Sequence, residues 1–131
     1  MEFSIEETIN SAIRKSDEAI LSAISSYQNE HYETWQNRLY YAIFYIVTAL
    51  AYKNNFITSK HSQLMGWFNK NYIHENKIFD ERCFSIYKEA FENRQKSDYD
   101  YTYIPNKEEL VLIIEDVKDF LSKVKQYIKS L

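Results

Sequence analysis

The chain has 131 residues, the usual size of one domain, so we expect residues 1–131 to form a single domain. One Gly and one Pro supply almost none of the turn positions that a multi-stranded β fold needs, which favours helices. The formal net charge of −3 excludes a protein that is basic over its whole surface, although it leaves room for a local basic site.

The first half of the chain predicts two long helices. In the first segment, apolar residues recur at three-, four- or seven-residue intervals at Ile5, Ile9, Ile13, Ile20, Ile24 and Tyr27. This spacing is one face of a helix, and a polar break at residues 25–30 separates it from a second helix over residues 31–54. The core stripe predicted for the second helix is Trp35, Leu39, Ala42, Ile43, Ile46, Ala49 and Leu50. Further aromatic residues make this helix apolar on most faces, which predicts a central position or an interface.

Residues 58–94 predict a third and a fourth helix. Thr58 or Ser59 is suited to cap the third helix. Its periodic apolar residues are Leu64, Met65, Phe68 and Tyr72. Asp80 is suited to cap the fourth helix, which is predicted to end at about Arg94. Its buried side is predicted to hold Phe84, Tyr87, Ala90 and Phe91.

A connector and a last helix complete the chain. Residues 97–105, with the sequence SDYDYTYIP, predict an extended connector because Pro105 disfavours helical dihedrals at the residue before it. Asn106, with Glu109 three residues later, resembles a capping box and predicts the start of a fifth helix. Five helices with short links predict an all-α, antiparallel up-and-down bundle.

Cysteine content, the first residues and the most apolar stretch together indicate the cellular compartment. Cys83 is the only cysteine and cannot form an internal disulfide, and residues 1–13 do not resemble a secretory signal. The most apolar stretch, residues 39–52, is shorter than the roughly 20 residues of a membrane span. We therefore expect a cytoplasmic protein that does not associate with a membrane.

A dense group of polar and aromatic side chains follows the fourth helix. After Arg94 come Asp98, Tyr99, Asp100, Tyr101 and Tyr103. The planar guanidinium group of an arginine matches phosphate, and a nearby carboxylate can orient it or accept a proton. The structural alternative is that Arg94 pairs with Asp98 at a helix end while the tyrosines cover the core.

Arg38 lies in the middle of the most apolar helix, where a charge must be paired or reach water. Tyr41 shares its helix face. The structural interpretation pairs Arg38 with Asp98 or Asp100 in a buried ion pair. The functional interpretation makes Arg38 a second phosphate contact.

Lys60 and His61 stand at the predicted start of the third helix, where free N–H groups and the helix dipole favour anions. A histidine titrates near neutrality, so His61 is a candidate acid or base, and the alternative is an ordinary surface histidine. His31 and His74 have no partners at metal-ligand spacing, which predicts no metal site. A single Gly excludes a Gly-rich phosphate loop, and we expect no cofactor.

Three short stretches resemble a known family in order and spacing. They are residues 37–42 (NRLYYA), 60–62 (KHS) and 94–100 (RQKSDYD). Together they resemble the small stand-alone bacterial branch of the HEPN (higher eukaryotes and prokaryotes nucleotide-binding) family, over about residues 35–128. The resemblance implies a homodimer with two sites in one cleft. It also implies a role in toxin–antitoxin, defence or stress systems, often beside a minimal nucleotidyltransferase.

The resemblance also implies a site. Active members of the family are metal-independent endoribonucleases that use an Arg and a His four to six residues beyond it, and Arg94 matches that Arg. Residues 99–101 are Tyr-Asp-Tyr, so the His is absent from its place. We therefore predict a component that binds a nucleotide or RNA without a complete catalytic motif. Its predicted phosphate-binding residues are Arg38, Lys60, Arg94 and Tyr99.

Three alternatives stay open. An active endoribonuclease would use Arg94 and Asp98 with His61 or Tyr99 as the substitute for the missing His. In some toxin relatives, a tyrosine two positions beyond the His receives AMP from the partner, which by spacing implies Tyr101 as the acceptor. A non-catalytic protein-interaction module is the third alternative.

Overall fold

The computed structural model describes residues 4–131 and contains five α-helices. They are α1 (Ile5–Gln28), α2 (Tyr32–Lys53), α3 (His61–Phe68), α4 (Glu81–Tyr99) and α5 (Lys107–Ser130). A π-helical segment, Asn69–Glu75, continues α3. Residues 4–131 contain no β-strand, and none of their helices is long and apolar enough to cross a membrane. The predicted all-α bundle is confirmed.

The second helix is the centre of the bundle, because α2 packs against all four other helices. Every residue of its predicted core stripe is buried, and Tyr40 and Val47 are buried as well. Tyr41, Phe44 and Tyr45 stay half-buried on one side of the helix. The central position predicted for this helix is therefore confirmed, and one aromatic side of α2 still reaches the surface.

The first helix packs on α2 through small side chains. Its buried residues are Ile9, Ala12, Ser16, Ala19, Ala23 and Ser26. The Ser16 hydroxyl donates a 2.7 Å hydrogen bond to the Ala42 carbonyl, which the close approach of the two backbones allows. Ile5, at the start of the predicted apolar face, is 48% exposed. Small residues occupy the line of contact, and most of the larger apolar residues flank it.

Two predicted helix caps are confirmed. The Asp80 carboxylate accepts a hydrogen bond from the Cys83 N–H, and the Asn106 side chain accepts from the Glu108 and Glu109 N–H groups. These contacts satisfy N–H groups that have no partner inside the first turn of a helix.

Three predicted boundaries are wrong. α1 continues through Gln28, into the segment expected to be a polar break. The third helix begins at His61 with Lys60 as its N-cap residue, so neither Thr58 nor Ser59 is the cap. The Thr58 hydroxyl instead accepts a 3.1 Å hydrogen bond from the Lys60 N–H, which shapes the turn just before the helix.

The end of α4 is the third wrong boundary. The helix runs through Tyr99, so residues 97–99 are helical rather than part of an extended connector. Asp98 pairs with Arg94 one turn earlier, and the Ser97 hydroxyl donates to the Gln36 side chain on α2. These two contacts hold the last turn of the helix in place.

Candidate functional site

The Arg94 side chain is held between aromatic rings and a carboxylate, and only 16% of it is exposed. Its guanidinium carbon lies 5.3 Å from the centroid of the Tyr40 ring and 5.4 Å from that of Tyr41. Its Nε atom lies 3.1 Å from Asp98 Oδ2. The N–H is not aligned for a hydrogen bond, so this contact is an ion pair. The predicted pairing of Arg94 with Asp98 is present, and it stands inside α4.

His61 meets the same tyrosine from α3. Its Nδ1 atom lies 2.7 Å from the Tyr40 hydroxyl oxygen, and its ring stacks on Phe44 with the centroids 4.3 Å apart. Burial, and then the positive charge of Arg94, lower the pKa of His61 below its ordinary value. The imidazole is therefore neutral at neutral pH.

Tyr40 joins these two groups. Its side chain is completely buried in the core. Burial raises the pKa of its hydroxyl group well above the ordinary value, although the charge of Arg94 opposes part of this shift. The Tyr40 hydroxyl therefore keeps its proton throughout the physiological pH range.

Arg38 approaches the same place along α2. Its guanidinium carbon lies 5.1 Å from the centroid of the Tyr41 ring. Its N–H groups donate hydrogen bonds of 2.7 and 3.1 Å to Asn37 Oδ1. Pairing with Asp98 or Asp100 was expected and is wrong, because no carboxylate among residues 4–131 forms an ion pair with Arg38.

We call these side chains the arginine–tyrosine cluster; its members are Arg38, Tyr40, Tyr41, His61, Arg94 and Asp98. The cluster contains two guanidinium groups and one carboxylate, so it is net positive. Lys60, the exposed N-cap of α3, stands beside His61 in the chain. A fixed positive site of this kind is chemically suited to a phosphate group.

Two exposed tyrosines, one at the end of α4 and one in the connector, lie outside the cluster. Tyr99 is 74% exposed and Tyr101 is 98% exposed. Between them, the Asp100 carboxylate accepts hydrogen bonds of 3.0 and 2.7 Å from the Thr102 N–H and hydroxyl groups. These bonds lower the pKa of Asp100 and make a turn at the start of the connector.

Sequence reasoning missed Tyr40 as a member of the site. It was counted only as an apolar residue that widens the core face of the second helix. A fully buried tyrosine needs a partner for its hydroxyl group, and that need was the available signal. The partner could not be identified, because His61 belongs to a different helix.

Comparison with known proteins identifies the family. The sequence profile of the HEPN domain matches residues 9–127, which is most of the chain. The chain belongs to the HEPN family.

Relatives of this HEPN domain cover nearly its whole length. A protein of Methanocaldococcus jannaschii named "Putative toxin MJ0142" is 32% identical over 130 residues, which are 99% of this chain and 88% of that protein. A "UPF0332 protein" of Thermotoga maritima is 30% identical over 90% of this chain and 83% of its own. A second M. jannaschii protein, "Putative toxin MJ0605", is 29% identical over 97% of this chain and 93% of its own. Two of these three relatives carry the word toxin in their names.

Metal binding has no visible basis in the described part of this HEPN domain. Residues 4–131 hold no group of three or more His, Cys, Asp or Glu side chains placed to bind a metal ion.

Proposed function

We propose that this HEPN domain is a cytoplasmic, homodimeric nucleotide- or RNA-binding component of a toxin–antitoxin, defence or stress system, with a degenerate catalytic motif. The observation that carries the proposal is the Arg94 guanidinium group, held on the Tyr40 and Tyr41 rings beside His61. Two relatives with "Putative toxin" in their names support a role in a system of this kind.

Phosphate binding follows from the donors of the cluster. Asp98 contacts Nε of Arg94, which leaves the terminal nitrogens of the guanidinium group to donate to phosphate oxygens. Arg38, over the Tyr41 ring, and Lys60, next to His61 in the chain, add positive charge. His61, being neutral, adds a hydrogen-bond donor without a further charge.

Binding is tested with a fluorescein-labelled single-stranded RNA oligonucleotide, followed by fluorescence anisotropy. Arg94→Ala removes charge-assisted hydrogen bonds and should weaken binding by about tenfold to a hundredfold. Arg82→Ala is the matched control, since Arg82 pairs with Asp116 on the surface and lies outside the cluster. Equal affinity of the wild type and the Arg94 variant would contradict the proposal. A dimer that binds no RNA or nucleotide would instead favour the protein-interaction module.

We infer the homodimer from the aromatic side of α2. A groove of about 750 Å³ lies between α1 and α2, and Phe44, Tyr45 and Tyr52 form its aromatic part. Phe44 also stacks on His61, so a second copy seated in the groove would lie next to the cluster. This arrangement would bring two clusters together, as the family resemblance implies.

Light scattering across a concentration series tests the dimer. Tyr45→Glu should shift the protein to monomer, because a carboxylate would have to be buried in the interface. Leu21→Glu is the control, since Leu21 is exposed on α1 and does not line the groove. A wild type that stays monomeric at every concentration would contradict the dimer.

A metal-independent endoribonuclease is the second candidate function. The observation that favours it is a neutral imidazole fixed within reach of the same tyrosine as Arg94. Incubation of total RNA with the protein in EDTA is the test, with Arg94→Ala, Asp98→Asn, His61→Ala and Tyr99→Phe as variants. Cleavage that His61→Ala abolishes supports His61 as the substitute group. Intact RNA with the wild type excludes this activity.

Tyr101 is the proposed AMP acceptor if a minimal nucleotidyltransferase is the partner. It is 98% exposed, which gives another enzyme free access to its hydroxyl group. Co-expression with a neighbouring nucleotidyltransferase, followed by peptide mass spectrometry, should find AMP on Tyr101. The Tyr101→Phe variant should remain unmodified, and an unmodified wild-type chain would exclude this role.

A further inference from the structure

The Tyr40 side chain is completely buried, and its hydroxyl group contacts one other member of the cluster. It lies 2.7 Å from Nδ1 of His61. The same ring lies beneath the guanidinium group of Arg94, 5.3 Å from its central carbon. Tyr40 therefore contacts His61 and Arg94, two of the groups that are proposed to bind phosphate, while its own position in the core keeps it away from a ligand.

The direction of this hydrogen bond follows from the surroundings of the hydroxyl group. A tyrosine hydroxyl carries one proton, and a neutral histidine carries one N–H and one acceptor nitrogen. Among residues 4–131, His61 Nδ1 is the hydrogen-bond partner of the Tyr40 hydroxyl. If Nδ1 carried the proton, the hydroxyl proton would be left in the core without an acceptor, at a cost in free energy. The favourable arrangement has the hydroxyl group as donor and Nδ1 as acceptor.

We infer that Tyr40 is a positioning residue that holds His61 in the tautomer with its proton on Nε2, so that His61 presents an N–H donor to a phosphate oxygen. The inference rests on the proposed binding function and deepens it. The Phe44 and Tyr41 rings pack against the imidazole, and Arg94 is the charged group that acts on it. In this tautomer Nε2 donates and cannot accept a proton, which suits binding better than general-base catalysis.

Long-range ¹H–¹⁵N NMR correlation on the ligand-free protein tests the tautomer directly. The wild type should show the His61 proton on Nε2. Tyr40→Phe keeps the ring beneath Arg94 and removes only the hydroxyl group. In this variant the two tautomers should mix, and the pKa of His61 should rise because the neutral imidazole loses the donor that stabilises it. His31 and His74, both exposed, are internal controls in the same spectrum.

Two NMR results would overturn the inference. One is a proton on Nδ1 of His61 in the wild type, which requires no variant to fold. The other is an unchanged His61 spectrum in a folded Tyr40→Phe protein.

RNA affinity separates positioning from a merely structural role. With the labelled oligonucleotide, Tyr40→Phe should weaken binding about threefold to tenfold, the usual effect of one hydrogen bond. The glutamine side chain has an amide N–H donor near the position of Nε2, and it has no second tautomer for Tyr40 to select against. In a His61→Gln background, Tyr40→Phe should therefore alter RNA affinity by less than about twofold. Equal losses in both backgrounds would overturn the positioning role. A wild type that binds no RNA contradicts the proposed function, while NMR still decides the tautomer.

Discussion

Gln36 and Tyr103 stand 67 residues apart in the chain, yet their side chains meet in a 3.1 Å hydrogen bond in which Gln36 Nε2 donates to the Tyr103 hydroxyl. Gln36 is buried on α2, and its Oε1 atom also accepts from the Ser97 hydroxyl near the end of α4. One buried amide thus ties the central helix to both ends of the turn that leads to α5.

Gln36→Ala should destabilise the fold by about 1–3 kcal/mol, because it removes both bonds and leaves a gap in the core. Urea unfolding measures the loss, and limited proteolysis of the connector should become faster. Gln126→Ala, at an exposed position of α5, is the control and should change stability by less than about 0.5 kcal/mol. If the two variants lose the same stability, the amide does not tie these elements together.

The Arg94–Asp98 ion pair should contribute more to stability than a second pair of the same spacing on α4. A double-mutant cycle with Arg94→Ala and Asp98→Ala should give a coupling free energy of about 1 kcal/mol, since both side chains are largely shielded from water. The comparison pair, Lys88 and Glu92, is 4.0 Å apart with both side chains more than half exposed.

The cycle for Lys88 and Glu92 should give about 0.5 kcal/mol or less, the usual range for exposed helix pairs. Raising the salt concentration should reduce this smaller coupling further. A larger coupling for the exposed pair would show that shielding by the tyrosines does not strengthen the contact at Arg94.

Tyr87→Phe should leave the protein as stable as the wild type or more stable by up to about 1 kcal/mol. The Tyr87 hydroxyl is buried and has no hydrogen-bond partner among residues 4–131, so its removal eliminates the free-energy cost of burying an unpaired polar group. Tyr72→Phe is the opposite case, because the Tyr72 hydroxyl accepts a 2.7 Å hydrogen bond from Asn54. Thermal unfolding of both variants should therefore move in different directions, and a clear loss in Tyr87→Phe would be evidence for a partner.

Gly66→Ala should stabilise the protein by about 0.5–1 kcal/mol. Gly66 lies inside α3 without a positive φ angle, and a Cβ atom added there meets no other atom within 4 Å. Alanine therefore lowers the entropy of the unfolded chain without a clash in the folded one. Gly66→Pro is the contrasting variant and should destabilise the helix. If Gly66→Ala is destabilised instead, the added methyl group meets a packing contact at this face.

Local signals were sufficient for most of the helices. Asp80 and Asn106 were recognised as caps because a cap bonds to backbone groups two or three residues away. The core stripe of α2 was recognised because its buried residues recur with the period of the helix. Prediction failed where a distant helix decides the outcome, as at the end of α4, which the bond from Ser97 to Gln36 anchors.

The sequence by itself determined the helical class, the central helix and the resemblance to the HEPN family, since periodicity, caps and short motifs are all read along the chain. Only the tertiary structure decided that Arg38 and Arg94 converge on Tyr41, and that Arg94 and His61 share Tyr40. These residues lie on three helices, and their distances depend on how the helices pack.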